Sequence, residues 1–231
     1  MTRVLVSGAT GKLGAPICAA IAASDDLVLA GRVARSLSGA DGFATLAEAI
    51  SATAAEIVVD VTTPEVGESH ALATVAAGLP LVIGTTGMAR EAAARIDAAA
   101  IKQGVPVLFV PNFSISAVLM MQFAAQAARY MTDCAIVEEH HVAKLDSPSG
   151  TALRTADLVE QASGRRPEIS SIRLDGLVAN QSVLFGATAQ TLEIRNVTTS
   201  REAFVPGVLL AIRGIHRLPS GYHVGLEHLL D

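Results

Sequence analysis

Little in this chain points towards a nucleic acid, a membrane or an oxidising compartment. Of its 231 residues only 3% are aromatic and none is tryptophan, which leaves no set of rings for stacking single-stranded bases. Basic residues are outnumbered: 22 acidic against 17 basic side chains give a formal charge of −5, the opposite of a nucleic-acid footprint, and no block of like charge marks a tail. The two cysteines, Cys18 and Cys134, form no C-x-x-C pair. This argues against a disulfide framework or a cysteine zinc site and for free thiols in a reducing cytoplasm. No stretch reaches the roughly 20 apolar residues of a membrane span. Arg3 is followed only by Val4-Leu5-Val6 before Ser7-Gly8, too short for a signal-peptide core. What the chain does have is apolar bulk, 51% hydrophobic residues, enough for one large or two modest domains. The expected ligand is a small molecule and the expected location the cytoplasm.

The first half alternates short apolar runs with Ala-rich amphipathic segments: Arg3 to Val6, Lys12 to Ala23, Leu27 to Val33, Thr45 to Ile50, Ile57 to Val61. That is the rhythm of a parallel sheet with helices on both faces. Thr45 and Glu48 have capping-box spacing, and Thr63-Pro64-Glu65 reads as N-cap, N1 proline and first-turn carboxylate. Two further strands, Leu81 to Ile83 and Val105 to Val110, flank a helix that Gly104 ends. After Pro111-Asn112 the pattern changes. A long helix from Ser116 leads to a strand, Cys134 to His140, then to a Pro148-Ser149-Gly150 turn, another helix, and β-rich stretches between Ile169 and Thr199. These last runs alternate, as in a mixed sheet with one covered face. The expected class is α/β: a Rossmann-like doubly wound parallel sheet domain, residues 1–111 plus 202–231, and a smaller α+β domain with an open mixed sheet, residues 112–201. The apolar run from Phe204 to Leu218 is read as returning to the first domain.

Gly8-Ala9-Thr10-Gly11-Lys12-Leu13-Gly14 follows the first strand and opens a helix. In that setting Gly8 permits a tight turn, Gly11 lets backbone N–H groups approach a pyrophosphate, and Gly14 lets the helix pack on its strand. The pyrophosphate then rests on the positive helix terminus. After the second strand, where NAD-preferring folds place a carboxylate for the ribose hydroxyls, the chain reads Ala30-Gly31-Arg32-Val33-Ala34-Arg35. With no acid and two arginines, NADPH is favoured over NADH; whichever arginine points away is a solvated surface charge. Gly84-Thr85-Thr86-Gly87 and Val110-Pro111-Asn112-Phe113 follow two other strands at the edge where ligands bind. The threonines suit a nicotinamide ribose or carboxamide, or belong to an ordinary polar loop.

The most specific segment is Glu138-Glu139-His140-His141-Val142-Ala143-Lys144-Leu145-Asp146-Ser147-Pro148-Ser149-Gly150-Thr151-Ala152. Adjacent histidines at a strand end point to opposite sides, so only one leads the chemistry. They cannot share an ion, and no third ligand is evident, so a metal is not expected. Gly150 and Thr151 would offer first-turn N–H groups to a carboxylate. The segment resembles the E-x-H-H-x-x-K-x-D-x-P-S-G-T-A signature of the dihydrodipicolinate reductases, also called 4-hydroxy-tetrahydrodipicolinate reductases, of the diaminopimelate route to lysine. Asp60-Val61-Thr62, Gly84 to Gly87, Asn112-Phe113-Ser114 and Ser200-Arg201 fall in the family's order. The chain departs from the family at Ala34, where an acid is frequent, at Thr63, where an arginine is, and at Ala179-Asn180-Gln181 in place of Gly-Glu-His.

The resemblance implies hydride transfer from NAD(P)H to an unsaturated cyclic dicarboxylate, preceded or accompanied by loss of water. It implies His140 as proton donor or acceptor, Lys144 as second proton donor, and His141, Gly150 and Thr151 as contacts for the substrate carboxylates. Cofactor contacts would come from Gly8, Ala9, Thr10, Gly11, Lys12, Leu13, Arg35, Gly84, Thr85, Thr86, Val110, Pro111, Asn112 and Phe113. It further implies a homotetramer built on the substrate domain, with closure about the hinge between domains. Two rivals share parts of this pattern. Another NAD(P)H-dependent imine or amino-acid dehydrogenase would share the glycine turn but has no reason to carry His140 to Ala152. A non-catalytic dinucleotide-binding module would lose the proton donors first.

Overall fold

The computed structural model describes residues 1–131 and 133–230. The chain forms two units, Met1–Phe113 together with the stretch from Phe204 onward, and Ser114–Ala203.

The first unit is built on strands β1 (Thr2–Ser7), β2 (Leu27–Val33), β3 (Gly42–Phe43), β4 (Ile57–Asp60), β5 (Leu81–Ile83), β6 (Pro106–Phe109) and β11 (Gly221–Val224). They lie in the order β11-β6-β5-β4-β1-β2-β3, with every pairing parallel. Helices α1 (Gly14–Ala22), α2 (Leu46–Ala52), α3 (Pro64–Ala76), α4 (Ala92–Gln103) and α7 (Val205–Gly214) cover it. This is the doubly wound arrangement expected from the alternating runs. Because both faces are covered, the strands are apolar throughout: Val4, Leu5, Val6, Ile57, Val58 and Val59 are fully buried. Local signals act as read at several ends. The Thr45 hydroxyl accepts from the Glu48 N–H at 3.3 Å, and Gly104 ends α4 in the left-handed region at φ +72°. Thr63 stands at the N-cap of α3 but caps no N–H with its side chain; it bonds instead to Glu65, whose carboxyl it helps hold below its usual range.

Two strands were not foreseen. β3 is two residues long, which leaves no period to read. β11 carries Tyr222 and His223 in a run without alternation, and it pairs with β6 from far along the chain; the Tyr222 N–H donates to Asp97 at 2.8 Å.

The second unit holds α5 (Ile115–Ala128), β7 (Asp133–His140), α6 (Gly150–Ser163), β8 (Glu168–Arg173), β9 (Ala179–Ala187) and β10 (Gln190–Asn196). Its sheet runs β10-β9-β7-β8 and is mixed: β7 pairs parallel with β8 and antiparallel with β9. Ile136, Val183 and Phe185 are buried on one face. Register places Glu138 and His140 on that same face, because side chains two apart share a side. On the other face Leu184 and Ile172 are exposed. Ser114 caps α5 and Ser149 caps α6, each accepting from the N–H three residues on.

Candidate active site

In the first unit the glycine-rich turn sits at the carboxyl end of β1. Gly8 has φ +86°, and a Cβ there would come within 2.5 Å of the Val61 carbonyl oxygen, so no other residue fits without displacing the loop after β4. The N–H groups of Gly8 and Ala9 both donate to the Val33 carbonyl, at 2.9 and 3.1 Å, and Gly11 N–H donates to the Gly8 carbonyl at 2.9 Å. A Cβ on Gly14 would overlap that carbonyl, which explains the close seat of α1. Ala9 is buried, Leu13 half-buried, and Thr10, Gly11 and Lys12 are exposed. No side chain caps the start of α1. An exposed backbone turn, a lysine and a helix terminus without a side-chain cap fit a pyrophosphate.

The loops after β5 and β6 reach the same sheet edge. Phe113 is buried and packs on Gly84, where a Cβ would meet its ring at 2.7 Å. Val110 is buried, its N–H donating to the Ile83 carbonyl at 2.8 Å, Asn112 is half-buried, and Pro111 is exposed. Thr86 is exposed, whereas Thr85 is buried and its hydroxyl donates to Asp60 at 2.5 Å. Thr85 therefore turns its side chain inward. The two arginines at the end of β2 and just beyond it divide: Arg32 donates through Nε and Nη2 to Asp41 at 3.1 and 2.9 Å, while Arg35 is exposed.

In the second unit Glu138 is the centre of a charged network. Arg173, on the adjacent strand β8, donates to both of its carboxylate oxygens at 2.9 and 2.8 Å. The Ser149 N–H, at the start of α6, donates to Oε1 at 3.3 Å, and His140 Nδ1 lies 2.5 Å from Oε2. The Glu138 side chain is fully buried. Burial alone would raise its pKa, but Arg173, Ser171 and His140 outweigh it and bring the carboxyl to about 2. An ionised carboxylate only accepts hydrogen bonds, so His140 Nδ1 carries a proton and Nε2 is left for exchange. Burial lowers the His140 pKa, and the charges of Lys144 and Arg173 add to that against the pull of Glu138. His140 is thus neutral near pH 7, with a lone pair at Nε2.

The strand ends at His140, and His141 turns away: it is 51% exposed, with Nε2 at 3.5 Å from Asp175, and its Nδ1 accepts from the Ala143 N–H at 3.1 Å. Lys144 closes the turn through its N–H to the His141 carbonyl at 2.9 Å, and its ammonium contacts Asp146 at 2.8 Å. Arg173 also donates to the Asp146 carbonyl, so this one arginine ties the strand to the turn, while Glu138 reaches the helix start through the Ser149 N–H. Gly150 is exposed and Thr151 half-buried in the first turn of α6, the positive end that favours a carboxylate. The sequence reading did not single out Arg173. The available signal was Glu138 itself, since a carboxylate on the buried face of a strand requires a cation. Gln181, at one of the departures from the family, holds α6 to the sheet through its amide, which donates to the Thr155 hydroxyl at 2.7 Å. Among the described residues no three His, Cys, Asp or Glu side chains converge as a metal site would need, and no helix is long and apolar enough to cross a membrane.

Two family models match the chain, dihydrodipicolinate reductase, N-terminus, over residues 2–113 and dihydrodipicolinate reductase, C-terminus, over residues 116–230. The 4-hydroxy-tetrahydrodipicolinate reductase of Nocardia farcinica is 42% identical, the alignment covering 99% of this chain and 98% of that protein. That of Geobacillus thermodenitrificans is 37% identical, covering 99% of each. Among solved structures, a dipicolinate-bound dihydrodipicolinate reductase from Paenisporosarcina sp. TG-14 superposes with a TM-score of 0.92 at 28% identity, over 100% of both chains. An amine dehydrogenase from Mycobacterium smegmatis, at 12% identity and a TM-score of 0.72 over 96% of this chain and 94% of its own, shares the fold alone.

Proposed function

The chain belongs to the dihydrodipicolinate reductase family, and from that premise we propose how its residues divide the NAD(P)H-dependent reduction that yields tetrahydrodipicolinate in the diaminopimelate route to lysine. The observation that carries the proposal is His140 held at Nδ1 by an ionised, arginine-paired Glu138, with Lys144 and the start of α6 on the same short segment. A bound reduced nicotinamide dinucleotide supplies the hydride. The electron-rich atom left by hydride addition has to be protonated. The Lys144 ammonium is the charged donor for that proton, and His140, neutral with a lone pair at Nε2, takes up a proton there from solvent before it serves as the other donor. His141, Gly150 and Thr151 hold the carboxylates of the dianionic substrate, for which fixed cations and N–H groups must be in place before reaction.

For the cofactor, Gly8 to Leu13 receive the pyrophosphate, and the loops Gly84 to Thr86 and Val110 to Phe113 receive the nicotinamide end. NADPH is the favoured form. Arg32 is engaged by Asp41, so Arg35 is the side chain available to a 2′-phosphate. Residues 1–111 with 202–231 serve as the dinucleotide domain, and residues 112–201 bind substrate and assemble the cytoplasmic enzyme as a homotetramer. The uncovered face of the second sheet, with Leu184 and Ile172 exposed, supports that assembly. The decisive experiment is a coupled assay with the product of dihydrodipicolinate synthase, run with NADPH and with NADH. Substrate-dependent oxidation faster with NADPH is expected, and Arg35→Ala should lower NADPH affinity roughly tenfold while leaving NADH nearly unaffected. No oxidation of either cofactor would return the chain to the rival readings.

A further inference from the structure

Beneath the cofactor loops of the first unit lies a polar cluster to which no role has yet been given. Asp60, the last residue of β4, is 1% exposed. Its Oδ1 accepts from the Thr62 hydroxyl at 2.7 Å, the Thr62 N–H at 3.3 Å and the Thr85 hydroxyl at 2.5 Å. Its Oδ2 faces His70 Nδ1, on α3, at 2.8 Å. Ser7, the last residue of β1 and fully buried, places its hydroxyl 3.2 Å from the same ring nitrogen. Burial works against ionisation of Asp60, yet His70, Thr85 and Thr62 together hold its carboxyl below the usual range. The ionised carboxylate only accepts, so His70 Nδ1 carries a proton, shared between Asp60 and the accepting Ser7 oxygen.

The cluster joins three segments at the ligand-binding edge of the sheet. Ser7 precedes the glycine-rich turn, whose Gly8 packs on the Val61 carbonyl. Thr62 lies in the loop after β4, and Thr85 is the inward half of the loop that exposes Thr86. One carboxylate thus ties the three loops, and His70 is the only donor to its second oxygen that the described residues show as a side-chain nitrogen. We propose that His70 is a positioning residue for the dinucleotide: through Asp60 it fixes Thr85, and so the spacing of the loops that receive the cofactor. The inference rests on the cofactor reading above. It predicts that removing the His70 donor acts on cofactor affinity rather than on chemistry, since no part of the cluster carries a proton to substrate.

The test is calorimetric titration of the full-length protein with NADPH, alongside steady-state kinetics. His70→Leu should weaken NADPH binding and raise its KM by roughly tenfold, the effect of one unmade hydrogen bond to a buried charge, while kcat moves less than about threefold. His70→Asn places an amide N–H where Nδ1 stood and should restore affinity to within about threefold of the parent. Thr85→Val should weaken binding similarly, and the double variant should be no worse than the weaker single one, because both act through Asp60. If His70→Leu does not fold, Thr85→Val and His70→Asn still decide the matter. Parent-like NADPH affinity in His70→Leu or Thr85→Val, even with a lowered Tm, overturns the proposal, as does failure of His70→Asn to recover binding. A parent protein that binds neither NADPH nor NADH overturns the cofactor reading itself, and this inference with it.

Discussion

Asp60 in the first unit and Glu138 in the second make the same contact, a carboxylate oxygen on the Nδ1 of a histidine, at 2.8 Å to His70 and 2.5 Å to His140. They differ in what balances the charge. Around Asp60 the donors are threonine hydroxyls and a backbone N–H, which stabilise an anion without cancelling it. Around Glu138 a bidentate guanidinium supplies a full positive charge. The consequence falls on the histidines. With Glu138 already neutralised, His140 gains little from being charged, and burial lowers its pKa despite the carboxylate beside it. It sits near pH 7 as a neutral ring with one nitrogen fixed and the other available for proton exchange, next to Lys144 and a helix terminus suited to carboxylates. His70 has neither neighbour. One pair is equipped to move a proton and the other to hold loops in register.

Removing Arg173 is the strongest way to break that contrast. Arg173→Met would leave Glu138 buried without its cation and should cost about 3 kcal/mol of stability, a Tm lower by roughly 6 to 12 °C for a chain of this size. The same variant should raise the His140 pKa, because it removes a nearby cation and returns the whole carboxylate to the imidazole. A calorimetric Tm and an NMR titration of the histidine ring check both, and a stable variant with unmoved His140 would make the arginine ornamental. Next in size is His140→Gln. Glutamine keeps an amide donor for Glu138 but cannot titrate, so kcat should fall by roughly 10²-fold or more while the fold survives. Undiminished turnover would remove His140 from its role, and would also erase the distinction between the two carboxylate–histidine pairs.

How far the sequence revealed these sites follows from how local each one is. The glycine turn, Lys144 and the Pro148-Ser149-Gly150 turn that opens α6 lie within short segments whose spacing has a direct steric meaning, and they were readable. So were β2, which occupies Leu27–Val33, and the helix stop at Gly104. Arg173 was not, because it meets Glu138 across 35 residues through the register of β7 on β8, and nothing near Arg173 in the chain signals that pairing. His70 was missed for a related reason. It lies within α3, where a lone histidine reads as a helix position like any other, and its meaning depends on Asp60 and Ser7 being brought together by adjacent parallel strands. Thr85 and Thr86 were read together as contacts for the nicotinamide end; the Thr85 hydroxyl lies inward on Asp60 while Thr86 is exposed.

The smallest expected effect is also the most diagnostic of the Glu138 charge. In the parent protein Arg173, Ser171 and His140 outweigh burial and hold the Glu138 carboxyl at about 2, below the ordinary carboxylate value of 4.5. A depressed carboxyl contributes stability that is complete above 4.5 and is lost as pH falls towards 2. In Arg173→Met the sign reverses, because burial without the cation raises the folded-state pKa, and protonation then relieves the fold rather than weakening it. The stability gap between parent and variant should accordingly be widest near pH 7 and narrow steadily from about pH 5 downward. Other carboxylates titrate in both proteins and cancel in the difference. Denaturation midpoints of the two proteins measured from pH 7 to pH 3.5 give this gap directly. A gap that stays constant across that range would mean that Arg173 acts through packing alone, and that Glu138 is not the buried charge that frees His140 to remain neutral.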